Sequence, residues 1–217
     1  MAAKIITVFN QKGGAGKTTA SCNLAGVLGL RGYKTLLVDL DEQSTATLSV
    51  GAASDDRPFP AALSNLAASP RPDREIAKFV DDYQFIIIDC PPAIRSPAPS
   101  IALLISDLGL IPVGASGGNL WAIQEAKKLG LNARASNPDL KLWSIGNMDQ
   151  KVTIVQQIFK AVEQDEDISM MRTRLGFRTA YKEAEVSGTT VLQIRGAKAA
   201  HNEINAFVDE VLEIVGE

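Results

Sequence analysis

The sequence predicts an α/β protein built on a doubly wound, mostly parallel sheet with helices on both faces. Apolar runs rich in β-branched residues recur at 5–9, 35–40, 85–88, 108–113 and 140–145, each of strand length and without the alternation that leaves one face wet. Between them lie stretches of helical periodicity at 18–30, 96–105, 120–134, 153–164, 180–187 and 197–215. Strands that alternate with helices are joined by crossovers, and a sheet of such units is parallel and covered on both sides. The stretch 51–72, with Asp55, Asp56, Pro58, Pro60, Pro70 and Pro72, reads as a surface excursion with room for one short helix. A chain of 217 residues, 46% hydrophobic and 22% charged, supplies one ordinary core, and no repeat, long linker or change of composition divides it. One domain over 1–217 is expected.

Composition removes several classes of function. Cys22 and Cys90 lie far apart without a CxxC spacing, and His201 is the only histidine, so neither a disulfide framework nor a structural zinc site is expected. The residues before Ile5 offer no signal peptide, and no apolar run of about 18 residues occurs, which points to a cytoplasmic protein. A net charge of −3 is wrong for a protein that coats nucleic acid through its overall charge, and leaves DNA binding to local patches.

The strongest motif is Lys12-Gly13-Gly14-Ala15-Gly16-Lys17-Thr18-Thr19, directly after the first strand and at the start of the first helix. A turn of exposed backbone N–H groups capped by a helix N-terminus surrounds anionic phosphates, and glycines let the backbone come close. Lys17 is placed to set an ammonium on the β- and γ-phosphates, and the Thr18 hydroxyl to ligate Mg2+. Gln11 stands where the usual pattern has glycine, and Lys12 is an additional lysine.

That variation resembles the deviant Walker A motif of the ParA/MinD family of P-loop ATPases. The resemblance implies a P-loop NTPase fold of the deviant Walker A type, with ATP and Mg2+ as cofactors. It also implies that Lys12 reaches the nucleotide of a partner subunit, where a cation supplied in trans neutralises charge on the γ-phosphate as an arginine finger does. Two carboxylate clusters end apolar runs, where an open α/β sheet places its site. Asp89-Cys90-Pro91-Pro92 resembles a Walker B motif, with Asp89 holding Mg2+ directly or through water. Asp39-Leu40-Asp41-Glu42-Gln43 resembles the family's Asp-x-Asp-Pro-Gln motif, which makes Asp41 the residue that orients or activates the attacking water and a further candidate at the metal. Glu42 replaces the usual proline and leaves the backbone there less restrained. Asn147-Met148-Asp149, expected just after the fifth strand, resembles the segment near the base and makes Asn147 the candidate for contacting adenine.

Between 170 and 200 the basic residues Arg172, Arg174, Arg178, Lys182, Arg195 and Lys198 face only Glu183 and Glu185. This part resembles the C-terminal portion of short ParA proteins, which implies a non-specific DNA surface shared by both protomers of an ATP-bound dimer. Such phosphate contacts give affinity without sequence information and weaken with salt.

Other branches of the family fit less well. The segment 203–217 holds Glu203, Asp209, Glu210, Glu213 and Glu217 and no lysine or arginine, the wrong charge for a membrane-binding amphipathic helix. Cys22 and Cys90 are not spaced for an iron–sulfur cluster, and no second substrate motif points to a metabolic ligase. The phosphate loop begins almost at the start of the chain, so no helix-turn-helix precedes it and operator binding is not expected.

The resemblance therefore implies a ParA-like ATPase, slow without a partner. It forms an ATP-dependent sandwich homodimer, binds the nucleoid without sequence preference, and is stimulated by a cargo adaptor protein to partition or position a plasmid, a chromosome or a protein organelle such as a carboxysome. The alternative is a nucleotide-switched regulatory module that docks a protein partner without DNA. Leu120, Trp121 and Ile123 are at helical spacing and read as core, with a partner surface as the other reading.

Overall fold

The computed structural model describes residues 2–92, 96–114, 119–150 and 152–216, without the side chains of Asn119 and Leu120. In chain order the elements are β1 (Lys4–Val8), α1 (Lys17–Leu30), β2 (Thr35–Asp39), α2 (Thr45–Gly51), β3 (Ala62–Asn65), α3 (Pro72–Ile76), β4 (Phe85–Asp89), α4 (Ala98–Leu103), β5 (Leu108–Val113), α5 (Asn119–Arg134), β6 (Lys141–Asp149), α6 (Thr153–Glu163), β7 (Ser169–Gly176), α7 (Thr179–Val186) and α8 (Lys198–Val215). The strands form one seven-stranded sheet in the order β3-β2-β4-β1-β5-β6-β7, and every pairing is parallel.

Alternation within the central strands feeds two cores. Ile6, Val8, Leu37, Phe85, Ile87, Leu108 and Leu110 pack against α1, α7 and α8. Their neighbours Ile5, Leu36, Val38, Ile86, Ile88 and Ile111 pack against α4 and α5. Val113, on the side of Ile111, adds a cluster with Ile123 and α6. All five residues of β2 and of β4 are buried, which is why both read as uninterrupted apolar runs.

The fold class is as expected, and the elements outside the centre require corrections. The excursion at 51–72 contains an edge strand, β3, and α2 precedes it. Neither carries the β-branched run or the length that marks an element in sequence. The basic segment begins with a second edge strand, β7, whose two arginines, Arg172 exposed and Arg174 half-buried, hide it from hydropathy and suit an edge that must not pair with another chain. Asn147, Met148 and Asp149 lie inside β6 rather than after it, in a stretch where the pairing with β7 shifts register twice and Met148 takes a left-handed φ of 54°. Trp121 is 64% exposed and is not core, whereas Ile123 is buried; the Leu120 side chain lies outside the described residues.

The shift leaves β7 with more residues than β6 between the pairs Ser144↔Met170 and Gly146↔Arg174. The amides of Arg172 and Thr173 instead donate to the two carboxylate oxygens of Glu210 at 2.8 and 2.9 Å, and Glu210 on α8 is itself buried. The Gly176 amide donates to Glu203. The acidic residues of the last helix thus serve the main chain of the edge strand. Glu210→Ala strands two amides and empties a buried site, and is expected to cost about 2–4 kcal/mol in urea unfolding, with Glu210→Gln intermediate. A loss under about 0.5 kcal/mol would contradict this role.

Candidate active site

The parallel sheet brings the ends of β1, β2 and β4 to one edge, where the phosphate loop crosses from β1 to α1. Asn10 fixes the base of the loop by donating from Nδ2 to the Pro112 carbonyl at 2.8 Å, while its Oδ1 accepts the Lys12 amide at 3.1 Å. Gly14 and Gly16 are left-handed, at φ 72° and 85°, which bends the chain back on itself. A Cβ on Gly13 or Gly14 would meet nothing within 4 Å, so the loop borders open space at both positions.

Lys17 is buried, and its Nζ donates to the Lys12 carbonyl at 3.1 Å across the loop. Beneath it Asp89 is fully enclosed, accepting from Thr18 Oγ1 at 2.7 Å and from Ser21 Oγ at 3.0 Å. Ser21 is the member that sequence reasoning missed. It lies one helical turn beyond Lys17, the only signal that could have indicated it, and its hydroxyl also contacts the Lys17 carbonyl. Burial pushes the Asp89 carboxyl up to about 7, against the pull of the two hydroxyls and Lys17. Burial also lowers the Lys17 ammonium below its ordinary value, with Asp89 opposing. Each ion is short of counter-charge, a deficit that phosphate oxygens and a divalent cation fill. Thr18 and Asp89 offer oxygen donors suited to Mg2+, and no cluster of three or more His, Cys, Asp or Glu occurs among the described residues. A hard cation would therefore complete its shell with phosphate and water oxygens.

Asp39, which the sequence marks only as part of a motif, shapes the loop that presents Asp41. Its Oδ2 accepts the amide and the hydroxyl of Thr47 at 2.8 and 2.7 Å, and its Oδ1 accepts the Asp41 amide at 3.0 Å. Asp41 is half-buried and accepts the Gln43 amide at 3.0 Å. A cleft of about 640 Å³ is lined by Asp41 with Glu42, Gln43, Pro70, Pro91 and Pro92, and by none of the glycines of the loop. A smaller cavity of about 140 Å³ continues from the loop at Thr19 and is walled by Asn147, Met148, Phe177, Arg178 and Tyr181. Asn147 reaches this wall, but its Nδ2 donates to the Ala15 carbonyl at 2.9 Å. Cys22 and Cys90 are buried, and burial raises both thiols well above their ordinary values, so neither is a thiolate.

The six basic residues of the C-terminal third do not form one stripe. Arg172 pairs with Glu213 of α8 at 2.5 Å, and Arg178 with Glu203 of α8. Arg174 lies over Phe159 and pairs with Glu163 of α6 at 2.6 Å, on the opposite face of the sheet. Lys182 stands over the exposed Phe177 ring. Arg195 and Lys198 are exposed and form no ion pair among the described residues.

A family model described as an AAA domain matches residues 3–71, the part with the phosphate loop and the Asp39–Asp41 cluster. The maintenance of carboxysome distribution protein A of Halothiobacillus neapolitanus is 30% identical over 211 residues, which cover 95% of each chain. The chain belongs to the ParA/MinD family of P-loop ATPases. The chromosome partitioning protein ParA of Myxococcus xanthus is 31% identical over 199 residues, covering 73% of this chain and 70% of that one. Among solved structures, an ATP complex of McdA from Cyanothece superposes with a TM-score of 0.76 at 16% identity, covering 100% of this chain and 97% of the other. The cell division ATPase MinD of Pyrococcus furiosus superposes at 0.74 and 20% identity, covering 98% and 99%. At such identities the structures establish the ParA/MinD fold alone.

With its carboxyl raised to about 7, Asp89 holds a proton in the nucleotide-free fold between about pH 4 and 7, where the unfolded chain has released it. Stability from this group therefore falls as pH rises through that window. Asp89→Asn is expected to flatten this part of the pH dependence of Tm and to abolish the extra thermal stabilisation that Mg2+ adds to ATP. Scanning fluorimetry with and without Mg2+-ATP checks both, and an unchanged pH slope would remove Asp89 as its source.

Proposed function

We propose that this protein is a partition or positioning ATPase whose ATP-bound homodimer binds DNA without sequence preference and releases it when an adaptor protein stimulates hydrolysis. The observation that carries the reading is the convergence of Lys17, Thr18, Ser21 and Asp89 beneath a left-handed glycine loop, with Asp41 at the neighbouring strand end. The names of relatives that maintain carboxysome distribution or partition chromosomes support a positioning role.

In this reading the loop amides and Lys17 hold the β- and γ-phosphates of ATP, and Thr18 and Asp89 hold Mg2+, which supplies charge neutralisation at the phosphate oxygens. Asp41 orients the attacking water in line with the γ-phosphorus, and Asp39 fixes where Asp41 stands. Lys12 reaches the partner's nucleotide, so hydrolysis and dimerisation depend on each other. Arg195 and Lys198, with Lys182, are the cations best able to meet DNA phosphates, because Arg172, Arg174 and Arg178 already have carboxylate partners. The protein is then cytoplasmic and associates with the nucleoid only with ATP. No helix among the described residues is long and apolar enough to cross a membrane. A second reading, a nucleotide-switched module that docks a protein and not DNA, is favoured by those same three ion pairs, which leave less free positive charge than the sequence suggests.

Binding to two unrelated duplexes, with ATP, ADP or no nucleotide and at two salt concentrations, separates the readings. The proposal expects ATP-dependent, sequence-indifferent binding that is lost in Lys12→Ala and weakened in Arg195→Ala, whose salt slope falls by about 0.9 per lost phosphate contact. Asp41→Ala is expected to keep ATP binding and lose about a hundredfold or more in turnover. Absence of DNA binding in every state would leave the protein-docking module as the better account.

A further inference from the structure

We propose that Asn147 is a positioning residue that holds the phosphate loop in its binding shape, and that it acts on the phosphate chain of the nucleotide whatever the base. The inference rests on the reading of the glycine loop as the phosphate site. It assigns Asn147 a different task from the adenine contact that the sequence suggests.

The Asn147 amide is committed at both ends. Its Oδ1 accepts the amide of the next residue, Met148, at 2.9 Å, and its Nδ2 donates to the Ala15 carbonyl at 2.9 Å, across 132 residues of sequence. Met148 takes a left-handed φ of 54°, a conformation disfavoured for a side chain of its kind, at the point where β6 leaves regular pairing with β7. That kink belongs to the same short segment that turns the Asn147 side chain inward. Only 4% of Asn147 is exposed, which leaves little of the amide for a base in the adjoining cavity.

The consequence for the loop follows from peptide geometry. In a trans peptide the carbonyl and the following N–H point in opposite directions. Holding the Ala15 carbonyl toward Asn147 therefore aims the Gly16 N–H the other way, away from Asn147. The same contact explains the residue at position 16. A Cβ there would lie 1.8 Å from Asn147 Nδ2, so glycine is required by this contact as well as by its φ of 85°.

The test compares the affinities of wild type, Asn147→Ala and Asn147→Ser for ATP, GTP and inorganic tripolyphosphate, each with Mg2+, by calorimetry. The expected result is a loss of about tenfold or more that is equal for all three, with the ATP-to-GTP ratio unchanged. A change in that ratio with tripolyphosphate affinity intact would overturn the proposal and return Asn147 to the base. Wild-type protein that bound none of the three would instead sink the phosphate-site reading itself. Hydrogen exchange in the nucleotide-free proteins supplies a readout independent of ligand. The variants are expected to exchange faster across 10–18 while β4 stays as protected as in wild type. Equal protection of the loop would overturn the proposal, and loss of protection in β4 as well would assign Asn147 to general stability and overturn it too.

Discussion

Asp89 is a carboxylate held where a carboxylate is costly, at the end of a strand buried on both faces and out of reach of water. Two hydroxyls and one buried lysine are its compensation, and they do not suffice, since its carboxyl rises to about 7. Lys17 sits in the same enclosure and is destabilised as an ammonium by the same burial. A buried lysine beside a carboxyl that keeps its proton up to about pH 7 is a poor device for stability and a good one for binding, because an anionic chain with its cation favours the charged form of each. The rest of the edge keeps that enclosure intact. The paired central strands deliver Val8, Asp39 and Asp89 to one level, and the register places Val8 and Asp39 each opposite Asp89.

The other end of the sheet solves a different problem with the same residue types. β7 is an edge strand with an irregular register, so several of its amides have no strand to bond. Glu203 and Glu210 from α8 accept three of them, and Glu203 and Glu213 pair with Arg178 and Arg172. The surface pair Arg172–Glu213 contributes little to stability, whereas the buried carboxylate of Glu210 substitutes for missing ladder bonds. These carboxylates redistribute charge as well. Three of the six basic residues of the segment 170–200 are answered by carboxylates, and Lys182, Arg195 and Lys198 form no ion pair among the described residues.

What the sequence could reveal depended on whether the cause was local. The five central strands were legible because burial on both faces writes an apolar run into the chain, and the phosphate loop because its glycines and lysine act within a few residues of one another. β3 and β7 escaped notice because an edge strand is half exposed, and in β7 arginines occupy positions that hydropathy expects to be apolar. Helical spacing identified α5 but not which of its residues turns outward, so Trp121 was misplaced. The partners of Asn147 and Ser21 were beyond reach for the same reason. Each is a pairing between distant segments, Ala15 in one case and Asp89 in the other, and the only local trace is that Ser21 stands one helical turn beyond Lys17.

The Asp39 clamp bears on the one position where the chain departs from the Asp-x-Asp-Pro-Gln pattern. A proline ring would stiffen the Asp41 loop from within, whereas here the stiffness comes from outside it, through bonds from Asp39 to Asp41 on one side and to Thr47 on the other. Position 42 is thereby released from holding the backbone. Glu42 borders the large cleft and brings a negative charge to its rim, so a residue freed from architecture is available for recognition.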